Sequence, residues 1–135
     1  MLNFAGIGAC AAFEASCPRS ITTVQQLAQT DDGWEPFARD PYGSAGTPPK
    51  EAVPLRADFS HIEIYDGPPK ELADLVPDNE RDTWTFDGAG AKSRPIFLAC
   101  VYDGTYVRLV RRLPDAVTRC VAGKNGTLRC DEGRP

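Results

Sequence analysis

Five cysteines in a 135-residue chain, no two of them in a C-x-x-C pair, constrain this sequence more than any other feature. A cytosolic protein of this size keeps so many thiols only for metal binding or redox chemistry. The spacing of Cys10, Cys17, Cys100, Cys120 and Cys130 suits neither, and His61, the one histidine, has no ligand partner at zinc-like spacing. No metal and no cofactor is expected. What remains is disulfides in an oxidising compartment, formed among Cys17, Cys100, Cys120 and Cys130, with Cys10 left over.

The front of the chain deals with the odd cysteine. Met1 to Phe13 carries no charged side chain and is mostly small or apolar. It reads as the tail of a secretory signal that lacks its charged n-region and whose apolar run is short, as expected if the true start lies upstream. Ala9-Cys10-Ala11 offers an A-x-A cleavage pattern, and Ile7-Gly8-Ala9-Cys10 a weak lipobox in which Cys10 would be lipidated. Either route removes Cys10 from the disulfide count. The expected organisation is a leader remnant or disordered segment over 1–15 and a single disulfide-stabilised domain over 16–135. The expected location is the periplasm, soluble or anchored by lipid. No other stretch approaches the length of a membrane span.

A net charge of -4 gives no reason to expect nucleic acid. The charge is uneven: Asp58 to Asp82 is strongly acidic, whereas Arg108 to Arg119 holds four arginines against Asp115 alone. Two solvated faces that partly pair with each other account for this, and so does an acidic surface for a basic protein partner.

Along the chain, 20–24 has the β-branched content of a short strand, and Asp31-Asp32-Gly33 is a turn. Trp34 and Phe37 after it are expected to plug the core. Residues 40–54 carry too many breakers to be anything but a loop, in which deletions should be tolerated. From Phe59 to Tyr65 strict alternation puts Phe59, His61, Glu63 and Tyr65 on one face and Ile62 and Ile64 on the other, ending at Asp66-Gly67-Pro68-Pro69. A short helical turn is expected over 70–75, stopped by Pro77. Trp84 and Phe86 share a face of another short strand, and Asp87-Gly88-Ala89-Gly90 turns away from it.

Residues 95–102 are apolar on both faces, as in a central strand, and Asp103-Gly104 turns into a returning strand over 106–113. A second hairpin, 117–121 and 127–130 around 124–126, sets Cys120 opposite Cys130. Facing residues on antiparallel strands are roughly 4.5–5.5 Å apart at Cα, within disulfide reach. Four cysteines allow three connectivities; this register favours Cys120–Cys130 with Cys17–Cys100. The fold expected is α+β, mainly β: one antiparallel sheet of about five strands, one or two short helices and two disulfides.

Disulfide-bonded cysteines supply no thiolate, and no G-x-S-x-G elbow places a serine beside His61. Carboxylates such as Glu63, Asp66 and Glu71 leave a small glycoside-hydrolase-like enzyme as the weaker alternative. No catalytic residue is assigned and the chain reads as a binder rather than an enzyme. Its candidate partner-binding surface is the acidic, proline-stiffened segment 65–78, through Tyr65, Asp66, Glu71, Asp74 and Asp78.

An ordered set of fragments supports this: Cys17-Pro18 with Ile21, Gly33-Trp34, Tyr65-Asp66-Gly67-Pro68-Pro69, Leu75-Val76-Pro77, Trp84, Leu98-x-Cys100-x-Tyr102, Leu113-Pro114, Cys120 and Cys130. Together, over about residues 16–131, they resemble a small family of exported proteins of Gram-negative bacteria with no assigned activity. The resemblance implies a periplasmic protein. Some such proteins are encoded beside type VI secretion effectors that attack peptidoglycan, which implies an immunity protein with the effector as its protein partner. Residues 97–113 also loosely resemble small periplasmic inhibitors of C-type lysozyme. An envelope structural or maintenance protein is the alternative.

Overall fold

Eight strands account for nearly all the regular structure in the computed structural model, which describes residues 12–29, 31–35, 53–78, 82–86 and 94–133. They are β1 (Ala12–Ser16), β2 (Ser20–Gln25), β3 (Val53–Asp66), β4 (Thr83–Thr85), β5 (Ile96–Tyr102), β6 (Leu109–Arg112), β7 (Val117–Ala122) and β8 (Thr127–Glu132). They form two four-stranded antiparallel sheets, in the orders β1-β8-β7-β4 and β2-β3-β5-β6. One shared core lies between them: Ala15, Trp84, Val117 and Leu128 from the first meet Ala57, Ile62, Ile64, Leu98 and Tyr102 from the second. This corrects the expectation of a single sheet of about five strands with helices. Alternation tells a strand which side chains face inward, not which strand lies beside it. Among the described residues the helical content is a single 3-10 turn, Pro69–Glu71, too short to close α-helical hydrogen bonds.

The sheet begins at Ala12, four residues before the expected domain boundary at 16. β1 turns only Phe13 and Ala15 inward, between exposed Ala12, Glu14 and Ser16, a pattern too short to mark a strand alone. It is a strand because β8 supplies its hydrogen-bond partners, from Ala12↔Asp131 to Ser16↔Thr127. Residues 1–11 lie outside the described residues, and with them the readings of Cys10. So do Phe37, the loop 40–52 and the turn at 87–90. Residues 53 and 54, expected in that loop, open β3 instead. Trp34 does not plug the core: three-quarters exposed, it lines an open depression with Leu27, Gln29 and Asp31. The strand expected over 106–113 shortens to 109–112, so the turn that starts at Asp103-Gly104 becomes a longer connection.

Both disulfides form as the hairpin register predicts. Cys120 and Cys130 are Cα partners across β7 and β8, 4.0 Å apart, and both are buried. Cys17, where the chain crosses from one sheet to the other, joins Cys100 on β5 at a Cα distance of 5.7 Å. The crossing is packed tightly. Cys17 donates its N–H to the Gly126 carbonyl, and a Cβ on Gly126, whose φ is +78°, would stand 3.1 Å from the Phe59 ring. The Tyr102 hydroxyl donates to the Pro18 carbonyl at 2.7 Å.

A β-bulge in β3 decides which side chains reach the surface. Phe59 pairs with Tyr102 and His61 with Val101, so Ser60 is one residue too many. Strict alternation would keep Phe59 on the face of His61, Glu63 and Tyr65. The bulge instead turns Phe59 inward, beside Ala57 on one side and Ile62 and Ile64 on the other. There its ring meets Tyr102 edge-on at 6.1 Å between centroids.

Candidate interaction surface

The outer face of the second sheet carries a polar network that spans three strands. His61, Glu63 and Tyr65 project from β3; their β5 partners Val101, Ala99 and Phe97 lie beside them, and Val110 and Arg112 continue the face on β6. The Tyr65 hydroxyl donates to Glu63 Oε2 at 2.7 Å, and His61 Nε2 lies 3.1 Å from Glu63 Oε1. Arg108, just before β6, donates to both Glu63 and the Tyr65 oxygen. Since β5 separates β6 from β3 and strands are spaced about 4.8 Å, the Arg108 side chain crosses β5 to make these contacts. Beneath it Ala99 and Val101 are buried although they stand apart from the core cluster.

The electrostatics follow from this packing. Burial alone would raise the Glu63 carboxyl; hydrogen bonds from Tyr65 and His61 and the charges of Arg108 and His61 outweigh it and hold the group below the usual carboxylate range. Burial pushes the Tyr65 phenol up, and its hydrogen bond to Glu63 adds to this. Asp74 is also pushed up, by burial first and then by the negative charge of Glu63.

Ser60, His61 and Glu63 form a line, since Ser60 Oγ lies 2.9 Å from His61 Nδ1. The serine is the imidazole's chain neighbour at an exposed bulge, not the tip of a strand-to-helix elbow, and the His61 side chain is more than half exposed. Among the described residues, no group of three or more His, Cys, Asp and Glu side chains could hold a metal ion. No helix among them is long and apolar enough to cross a membrane.

The acidic segment runs along one margin of this face and is stitched down by its backbone. Asp66 N–H donates to the Ala73 carbonyl and Leu75 N–H to the Ile64 carbonyl, so residues 73–75 lie against the end of β3. Trp84 Nε1 donates to the Leu75 carbonyl at 3.0 Å, tying the segment to β4 of the other sheet. Of the residues singled out from sequence, Tyr65 is buried and turned into the Glu63 network. Glu71 pairs with Arg94, and Asp78 accepts a 2.7 Å hydrogen bond from Thr85 Oγ1. Asp66 is half-buried and Asp74 exposed, beside Tyr65.

The segment also exposes two apolar side chains. Leu72 and Val76 are 80% and 85% exposed. Leu72 also holds a left-handed backbone (φ +60°) where it ends the 3-10 turn, a conformation that costs a branched side chain about 1 kcal/mol or more. Sequence reasoning passed over both because it followed the carboxylates. It also passed over the pairing of Arg108 with Glu63; the arginine run was visible, but its partner stands 45 residues away.

These features define a small disulfide-braced β protein that concentrates its specialised groups on an open sheet face and its margins. The family described as Type VI secretion system Tli immunity protein matches residues 51–132, β3 through β8, and the chain belongs to that family. No curated protein and no solved structure matches it.

Proposed function

We propose that this protein is a periplasmic immunity protein that binds a secreted type VI effector and blocks its active site by occlusion. Membership of the immunity family carries the reading. Two buried disulfides support a periplasmic location, because such bonds persist in oxidising compartments. The mechanism needs binding, not turnover: a rigid element enters the effector's cleft and excludes substrate.

The surface we assign to the contact is the margin of the second sheet over residues 65–78. Leu72 and Val76 are its apolar anchors, and Asp66, Glu71, Asp74 and Asp78 give it a field attractive to a basic rim. Strain at an exposed leucine supports this, since strained residues collect where a structure is shaped for contact. The effector's substrate, on the family resemblance seen in the sequence, is peptidoglycan.

The test is survival of cells that export the effector encoded beside this gene to their periplasm, with and without this protein in the same compartment. Protection that is lost when export of the protein is blocked is the expected result. Killing that continues at full rate despite correctly exported protein would reject the immunity reading. Digestion of purified peptidoglycan by the effector, suppressed by this protein, tests the substrate. Suppressed toxicity with no peptidoglycan cleavage would replace the substrate and leave immunity standing.

A further inference from the structure

We infer that strand β6 is a second docking edge, at which an extended acidic segment of the effector adds to the sheet as a further antiparallel strand. The inference rests on the immunity reading for the identity of its partner.

β6 closes the order β2-β3-β5-β6 and hydrogen-bonds to β5 alone among the described strands. All four of its residues are exposed. A sheet edge of this kind presents a row of backbone N–H and C=O groups ready to pair with another chain, and proteins ordinarily blunt it. Here the approach is apolar as well. Tyr106 is fully exposed, and Val107, Leu109 and Val110 are about half or more than a third exposed. An exposed aromatic beside aliphatic side chains on a free edge supplies the anchors such a contact uses.

Charge selects the occupant. The run Tyr106-Val107-Arg108-Leu109-Val110-Arg111-Arg112 holds three arginines and no acid in a protein of net charge -4. Arg108 is drawn to Glu63, Arg111 lies over the Phe13 ring with its guanidinium carbon 5.1 Å from the centroid, and Arg112 pairs with Asp115 in a contact open to water. A second copy of this strand would bring arginines against one another across the new ladder, where facing like charges are destabilising. The arginines thus act against self-pairing and in favour of a strand bearing Glu or Asp. The partner's chemistry is an extended segment that alternates acidic and apolar residues.

Hydrogen–deuterium exchange on the full chain, alone and with the purified effector encoded beside it, reads this directly. Backbone amides within 109–112 should slow by about tenfold or more in the complex, as pairing into a ladder demands. The variant Y106S/R112E changes two exposed side chains outside the core; it should bind about tenfold or more weakly, with an affinity less sensitive to salt than that of the native chain. An effector that binds yet leaves 109–112 unprotected, or binds the variant equally well, overturns the β6 edge and leaves immunity intact. An effector that does not bind at all rejects both. Protection of 109–112 that rises with the concentration of this protein alone would assign the edge to a second copy and reject the proposal.

Discussion

The acidic segment 66–78 and the arginine hairpin 103–112 flank the same sheet, yet their backbones are held in opposite ways. In the acidic segment two of the carboxylates are tied within the fold, Glu71 to Arg94 and Asp78 to Thr85, and the backbone bonds to β3 and β4. Leu72 and Val76 face outward there, beside the exposed Asp74. In the hairpin, β6 keeps one backbone edge open among the described strands, and all four of its side chains, two apolar and two charged, are exposed. Net charge along a sequence is therefore a poor guide to which groups a partner meets. One region gives shape held by hydrogen bonds; the other gives an edge held by very little.

The largest expected effect concerns the scaffold both regions share. Cys17–Cys100 closes a separation of 83 residues and Cys120–Cys130 one of 10. Loop entropy puts the first at about 4–5 kcal/mol and the second at about 2.5–3 kcal/mol. Denaturant midpoints of C17A/C100A and C120A/C130A should fall in that order; the reverse order would mean that the inter-sheet crossing holds without its bridge.

Next comes the anchoring of the acidic segment. Gly67 has φ +85°, and a Cβ there would strike the Arg94 guanidinium that pairs with Glu71. G67A should cost about 1–3 kcal/mol by thermal unfolding. A neutral result would show that the segment is not held where this contrast requires.

A smaller effect is read through pH. Glu63 lies below its ordinary value of 4.5 when folded, so its contribution is complete above that value and is lost as pH falls through the folded pKa. Asp74 has the opposite sign: its contribution is present below 3.8 and is lost as pH rises through its raised value. Urea midpoints followed from neutral pH into acid should fall less steeply in E63Q than in the native chain, and more steeply in D74N. Parallel curves in all three would remove Glu63 from any role in holding Arg108 across the sheet.

The smallest effect belongs to the hairpin. Y106S should change stability by no more than about 0.5 kcal/mol, because the side chain is fully exposed. A loss well beyond that would make Tyr106 part of the scaffold, and the contrast between the two regions would fail there.

Much of the fold was legible for reasons of local physics. Strand formers in β7 and β8, a turn at 124–126 and two cysteines at matching register specify a disulfide hairpin over a short stretch of chain, and Cys17–Cys100 follows once those two are paired. Phe59 shows where such reasoning stops. Its outward placement follows from perfect alternation, and one extra residue, Ser60, reverses it. The surface was half legible: the acidic run was visible, but that Glu71 and Asp78 are engaged while Leu72 and Val76 face solvent depends on Arg94 and Thr85, 23 and 7 residues along the chain from their partners.

By itself, then, the sequence determined a disulfide-stabilised β chain in which Cys17, Cys100, Cys120 and Cys130 are unavailable as nucleophiles, because cysteine count, alternation and turn chemistry act over short distances. Tertiary structure alone decided that the strands divide between two sheets, that β1 exists, and that β6 is left at an edge. Those outcomes depend on which strand finds which neighbour, and backbone hydrogen bonds between strands are blind to the side chains that a sequence displays.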